Sequence, residues 1–109
     1  MFSIIVIAAI VAANAGEYVT GPVDVVAEGL QFSEGPVWLP SGELVFSDIP
    51  ADSILRVDKT VFRKPSGKSN GLTLDPQGRL IACEHLNRRV TRTEPDGKIT
   101  VLAEAYQGK

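Results

Sequence analysis

The chain contains two copies of one motif. Residues 33–46 (Ser33-Glu34-Gly35-Pro36-Val37-Trp38-Leu39-Pro40-Ser41-Gly42-Glu43-Leu44-Val45-Phe46) lie on residues 69–82 at an offset of 36 without a gap. Serine, glycine, proline, glycine and leucine coincide, and Arg56 later falls on Arg92 at the same offset. Further on, Val61-Phe62 matches Val101-Leu102 at an offset of 40. The longer second unit accommodates the turn Glu94-Pro95-Asp96-Gly97, where the first has only Asp58-Lys59. A period of about 40 residues holding about four strands is what one blade of a β-propeller requires.

Local chemistry agrees. From Gly16 onward no segment shows an apolar stripe at helical spacing. Reversals recur instead at Pro40-Ser41-Gly42, Pro65-Ser66-Gly67, Pro76-Gln77-Gly78 and Pro95-Asp96-Gly97. Proline presets φ for the second turn position and glycine accepts positive φ. Short aliphatic and β-branched runs lie between them, so the expected class is all-β. In the second unit the expected strands are 71–75, 79–84, 88–93 and 98–104. Blade one is placed at about 30–66 and blade two at about 67–109.

Residues 1–15 carry no charged side chain, and 2–13 are almost continuously apolar. That run is shorter than the roughly 20 residues a membrane-spanning helix needs. It closes with Ala13-Asn14-Ala15, a small-x-small pattern suited to leader cleavage before Gly16. An export leader is therefore expected, with an uncleaved anchor or a mis-assigned start as alternatives, and no stable membrane span. Residues 16–109 are read as the N-terminal part of the propeller.

The formal net charge is -2 and Lys and Arg are scattered, which argues against nucleic-acid binding. The cations are expected on solvated strand ends and loops. Cys83 is the single cysteine, so neither a disulfide framework nor a cysteine zinc site is available. Following Leu80-Ile81-Ala82, it is expected as a small apolar filler of a buried strand.

The first strand of a blade lies nearest the central axis, so residues at its start converge on one end of the channel. Here those residues are Glu34 and Asn70, joined by the loops at 48–52 and 85–87. A carboxylate with amide oxygens suits a hard cation such as Ca²⁺ or Mg²⁺. Glu34 also reads as a capping or solvated glutamate, and Asn70 before Gly71 as a turn former. His85, the only histidine, could hydrogen-bond a substrate or shuttle protons, or sit idle on a surface loop. Asp48 ends its strand, where a loop hydrogen bond accounts for it as well as chemistry does. There is no nucleophile elbow, phosphate loop or HExxH motif.

Phe32-Ser33-Glu34-Gly35-Pro36-Val37-Trp38 and Phe46-Ser47-Asp48-Ile49-Pro50 resemble the opening of SMP-30/gluconolactonase-type propellers. Ser69-Asn70-Gly71-Leu72-Thr73-Leu74-Asp75, Ile81-Ala82-Cys83-Glu84-His85 and Asn87-Arg88-Arg89-Val90-Thr91-Arg92 resemble the second blade of the gluconolactonase branch. The resemblance implies a six-bladed propeller that holds one divalent metal, Ca²⁺ foremost with Zn²⁺ or Mg²⁺ as alternatives, and hydrolyses sugar lactones. It makes Glu34 a metal ligand and Asn70 and His85 channel-lining candidates. The family's other ligands, an Asn and an Asp expected to act as general base, belong to later blades and match no position here.

On that resemblance the chain covers two blades of six. In such rings an N-terminal strand completes the last blade, and residues 23–27 would be that strand, left without a partner. The isolated chain is accordingly expected to be unstable and inactive. The alternative to a hydrolase is a propeller that binds a ligand or protein without turnover, since fold does not settle function.

Overall fold

The computed structural model describes residues 21–108, so the expected leader at 1–15 lies outside the described residues. Eight strands follow one another: β1 Ser33–Trp38, β2 Leu44–Asp48, β3 Ser53–Arg56, β4 Val61–Arg63, β5 Ser69–Leu74, β6 Leu80–Glu84, β7 Arg89–Thr93 and β8 Ile99–Ala103. They form two four-stranded sheets, β1-β2-β3-β4 and β5-β6-β7-β8, each an antiparallel meander. Among the described residues no helix is long and apolar enough to cross a membrane.

The offset of 36 is written into the hydrogen bonding. Ser33 pairs with Asp48 and Trp38 with Leu44, while Ser69 pairs with Glu84 and Leu74 with Leu80. Both innermost ladders carry an irregularity after the first pairs, between Glu34 and Val37 and between Ser69 and Leu72. Both first turns close alike: Gly42 N–H donates to Leu39 O at 2.9 Å and Gly78 N–H to Asp75 O at 2.8 Å. Gly42 and Gly78 take φ of 85° and 77°, which favours glycine at both turns. Arg56 pairs with Val45 as Arg92 pairs with Ile81.

Side chains alternate across β2, and this builds two cores. Val45 joins Ile54, Leu80 and Ala82 between the sheets, with Val37, Phe62 and Leu72 packed against them. Phe46 faces the other way and packs with Leu55, Ala27 and Leu30. Full burial of a Val, Leu, Ile or Phe side chain such as Val45, Ile54 or Phe46 contributes about 1.5–3 kcal/mol. Residues 23–27 form no strand: Val23, Val25 and Val26 are exposed, and only Ala27 is covered. A strand is defined by its ladder partners, and this segment has none among the described residues. It docks through Ala27 and Leu30 instead.

Candidate functional site

The second sheet packs against the face of the first on which Val45 and Ser47 lie. Ser47 Oγ and Ser69 Oγ share a buried hydrogen bond of 2.8 Å between the sheets. Ser47 is the register partner of Glu34, so those two side chains share a face of the sheet. Gly35 completes the contact. Its φ is 57°, and a Cβ built there would stand 2.5 Å from Asn70 O and 2.8 Å from Leu72 N. Glycine at 35 thus lets β1 and β5 approach, and the starts of the two inner strands lie side by side.

Glu34 is exposed on β1. Between Ser33 and Ala103 every other acidic side chain accepts a hydrogen bond or joins an ion pair. Glu43 takes Ser41 and Arg56, Asp52 takes the Lys68 N–H, Asp58 takes Thr60, Asp75 and Glu94 take Arg79, and Asp96 takes the Lys98 N–H. Asp48 is 3% exposed, and its carboxylate accepts the Gln31 and Phe32 backbone N–H groups at 3.1 Å each. Its loop hydrogen bonds pin the segment entering β1, which settles the alternatives for this residue in favour of structure. Among the described residues, Glu34 is the carboxylate of the two sheets that no side chain or backbone group engages.

Asn70 and His85 are brought together. Both are exposed and both line a groove of about 530 Å³ on the face of the second sheet turned away from the first, with Arg88, Arg89 and Tyr106. Glu34 does not line that groove. It occupies the corresponding position one sheet earlier, on β1, on the face that looks toward the second sheet. Asn70 belongs to β5 and not to a turn, because the ladder extends back to the pair Ser69–Glu84 and takes Asn70 with it as part of a bulge. Among the described residues no three or more His, Cys, Asp or Glu side chains stand close enough together to hold a metal.

Two expectations are corrected. Cys83 is exposed and is not a core filler. It stands 36 residues after Ser47, and alternation along β6 turns Leu80, Ala82 and Glu84 toward the first sheet and Cys83 away from it. The cations are not all solvated, either. Arg63, at the end of β4, is 9% exposed and reaches across to Glu84 on β6.

Glu84 is the polar hub between the sheets. Its side chain is fully buried and accepts from Arg63 Nη2, from Arg89 Nε at 2.7 Å, from Asn87 Nδ2 and from Thr91 Oγ1 at 2.9 Å. Burial alone would raise its pKa. The hydrogen bonds from Arg89, Asn87, Arg63 and Thr91 outweigh burial and hold it at about 2. Sequence reading missed this cluster because its members come from two sheets. The signal was present, since Asp48 and Glu84 are acidic residues at the offset of 36.

Two consecutive four-stranded meanders, packed face to face with their first strands adjacent, are blades of a β-propeller. The family described as SMP-30/Gluconolactonase/LRE-like region matches residues 32–109, and the chain belongs to it. The gluconolactonase of Zymomonas mobilis is 31% identical over 110 residues, covering 84% of this chain and 31% of that protein. A gluconolactonase-family protein solved by X-ray in a structural-genomics programme superposes with a TM-score of 0.69 at 36% identity, covering 77% of this chain and 31% of that one. A gluconolactonase of Xanthomonas campestris, described as important in glucose secondary metabolic pathways, gives 0.68 at 34%, covering 73% and 29%. The chain therefore spans just under a third of the length of these relatives.

Proposed function

We propose that residues 32–109 supply two blades of a lactone-hydrolysing propeller, in which Glu34 is one ligand of a divalent cation, Ca²⁺ foremost. The observation that carries this reading is the unengaged Glu34 carboxylate at the start of an inner strand, where its acidic neighbours are all committed to structural bonds. The family membership and the gluconolactonase relatives support the substrate class.

The donor chemistry fits. Ca²⁺ takes six to eight oxygen ligands, and the free Glu34 carboxylate is an oxygen donor of the required kind. The described residues make an incomplete shell, with the remaining ligands and the general base expected from other blades. A bound cation would supply polarisation of the lactone carbonyl. Glu34 holds negative charge at the channel end and does not itself carry the proton. Asn70 presents an amide and His85 an imidazole, both suited to hydrogen-bonding the hydroxyl groups of a sugar lactone.

Residues 1–15 act in this reading as an export leader, placing the protein outside the cytoplasm. An intact mass beginning at Gly16 supports cleavage, and one that retains residues 2–13 contradicts it.

The test is glucono-δ-lactone hydrolysis by a closed ring in which residues 32–109 replace the matching segment of the Zymomonas mobilis gluconolactonase, its folding verified by circular dichroism. Turnover should require divalent metal and fall about a hundredfold in Glu34→Gln, the scale of losing a group that supports charge on the reacting oxygen. A folded ring whose turnover ignores both chelator and Glu34→Gln contradicts the proposal.

A further inference from the structure

We infer that Asp52, on the first blade, is the positioning residue for the turn 85–88 on the second, and through that turn for His85. The link between them is the connector 64–68, which joins β4 to β5 outside either ladder. Two successive residues there have left-handed backbone, Gly67 at φ 66° and Lys68 at φ 49°. Glycine adopts that conformation freely, whereas lysine does so against a steric cost. Lys68 is held in it through its own N–H, which donates to Asp52 Oδ1 at 2.7 Å. Hydrogen bonds from backbone N–H to a carboxylate are among the strong ones.

Asp52 grips the connector at a second point. Its Oδ1 also accepts from Ser66 Oγ at 3.3 Å, and its carbonyl accepts the Ser66 N–H at 3.0 Å. Ser66 is fully buried and accepts the Ser69 N–H at 3.3 Å, where β5 begins. The turn that holds Asp52 does not itself demand a carboxylate. Arg88, 36 residues on, takes the same left-handed backbone, with φ 52° against 53° at Asp52. The carboxylate at 52 is accounted for by the connector that it binds.

The connector in turn holds the turn 85–88. Gly67 O accepts the Leu86 N–H at 2.9 Å, and Lys68 O accepts the His85 N–H at 3.4 Å. Those two carbonyls belong to the two left-handed residues, so the backbone that Asp52 fixes sets their direction. Gly67 also lies against the side chains of the turn. A Cβ built on it would stand 2.5 Å from Glu84 Oε2 and 2.7 Å from Asn87 Nδ2. The whole path runs within residues 52–87 and crosses from one blade to the next. Its bearing on lactone binding rests on the proposed function, in which His85 hydrogen-bonds a sugar hydroxyl.

The experiment uses the closed ring carrying residues 32–109 and two variants of it. Asp52→Gly keeps the left-handed backbone and removes the carboxylate, while Asp52→Asn keeps both that backbone and an acceptor oxygen. Amide hydrogen exchange at residues 85–86 should speed about tenfold in Asp52→Gly, with β2 and β7 unchanged. It should return to the unmodified rate in Asp52→Asn. In lactone hydrolysis Asp52→Gly should raise KM about tenfold at unchanged kcat, the scale of one net hydrogen bond. It should add nothing further in a ring that already carries His85→Ala. Unchanged exchange at 85–86 in Asp52→Gly overturns the inference, as does an Asp52→Asn ring that behaves like Asp52→Gly. Loss of protection throughout β2 and β7 overturns it too, because Asp52 would then be a general stabiliser. So does a KM effect that persists in full without His85. A ring that shows the exchange pattern yet turns over no lactone contradicts the hydrolase reading and supports the placement of the turn.

Discussion

Ser47 Oγ lies 2.8 Å from Ser69 Oγ, and both side chains are fully buried between the blades. Ser47 is the cross-strand partner of Glu34, and Ser69 immediately precedes Asn70. One hydrogen bond thus ties together the two strand starts that carry the candidate site residues. Replacing either serine by alanine strands the other hydroxyl in a dry interface, at a cost of about 1–3 kcal/mol. The double variant should cost less than the two singles together, leaving a coupling of about 1 kcal/mol in denaturant titrations of a protein carrying both blades. Strictly additive costs would mean that the bond does not join the blades.

Glu84 makes the interface sensitive to acid. Its pKa is depressed from 4.5 to about 2, so its stabilisation is full above its unfolded value and lost as pH falls through about 2. That depression corresponds to about 3 kcal/mol. Stability followed from pH 6 downward should therefore begin to fall near pH 4.5. In Glu84→Gln that part of the acid limb should flatten. The variant should also be weaker at neutral pH by about 3–5 kcal/mol, because Arg63 is left buried without its counter-charge.

Gly35 sets the approach of the inner strands, and its replacement separates them. Gly35→Ala meets both a left-handed φ and the Asn70 carbonyl at 2.5 Å, whereas Gly42→Ala meets a left-handed φ in open space. The second should cost about 1–2 kcal/mol for backbone conformation alone. The first should cost more, and lactone turnover in a closed ring should fall with it. Equal destabilisation of the two variants would show that β1 and β5 do not touch at this point.

The repeat made most of the fold legible. Expected strands 79–84 and 88–93 are observed as Leu80–Glu84 and Arg89–Thr93, because turn glycines and aliphatic runs bound them locally. The first strand begins at Ser69, two residues before its expected start, since pairing with Glu84 extends the ladder beyond the local signal. That extension is what turns Asn70 from a turn residue into a strand residue. Cys83 falls on the exposed face because an apolar run shows that a strand is buried without showing which of its side chains face inward. Arg63 and Glu84 were invisible for a different reason. They lie 21 residues apart, on separate blades, and only packing brings them into contact. The position of Glu34 was legible because it depends on the strand alone, and it sits at the start of β1 as expected.

The most direct test of the account is a crystal structure of the closed ring soaked with a divalent ion that scatters anomalously, Mn²⁺ in place of Ca²⁺. The account places the anomalous peak on the channel axis, with a Glu34 oxygen at about 2.0–2.6 Å. A peak bound elsewhere, or a Glu34 carboxylate turned to the outer surface in a fully occupied structure, would contradict it.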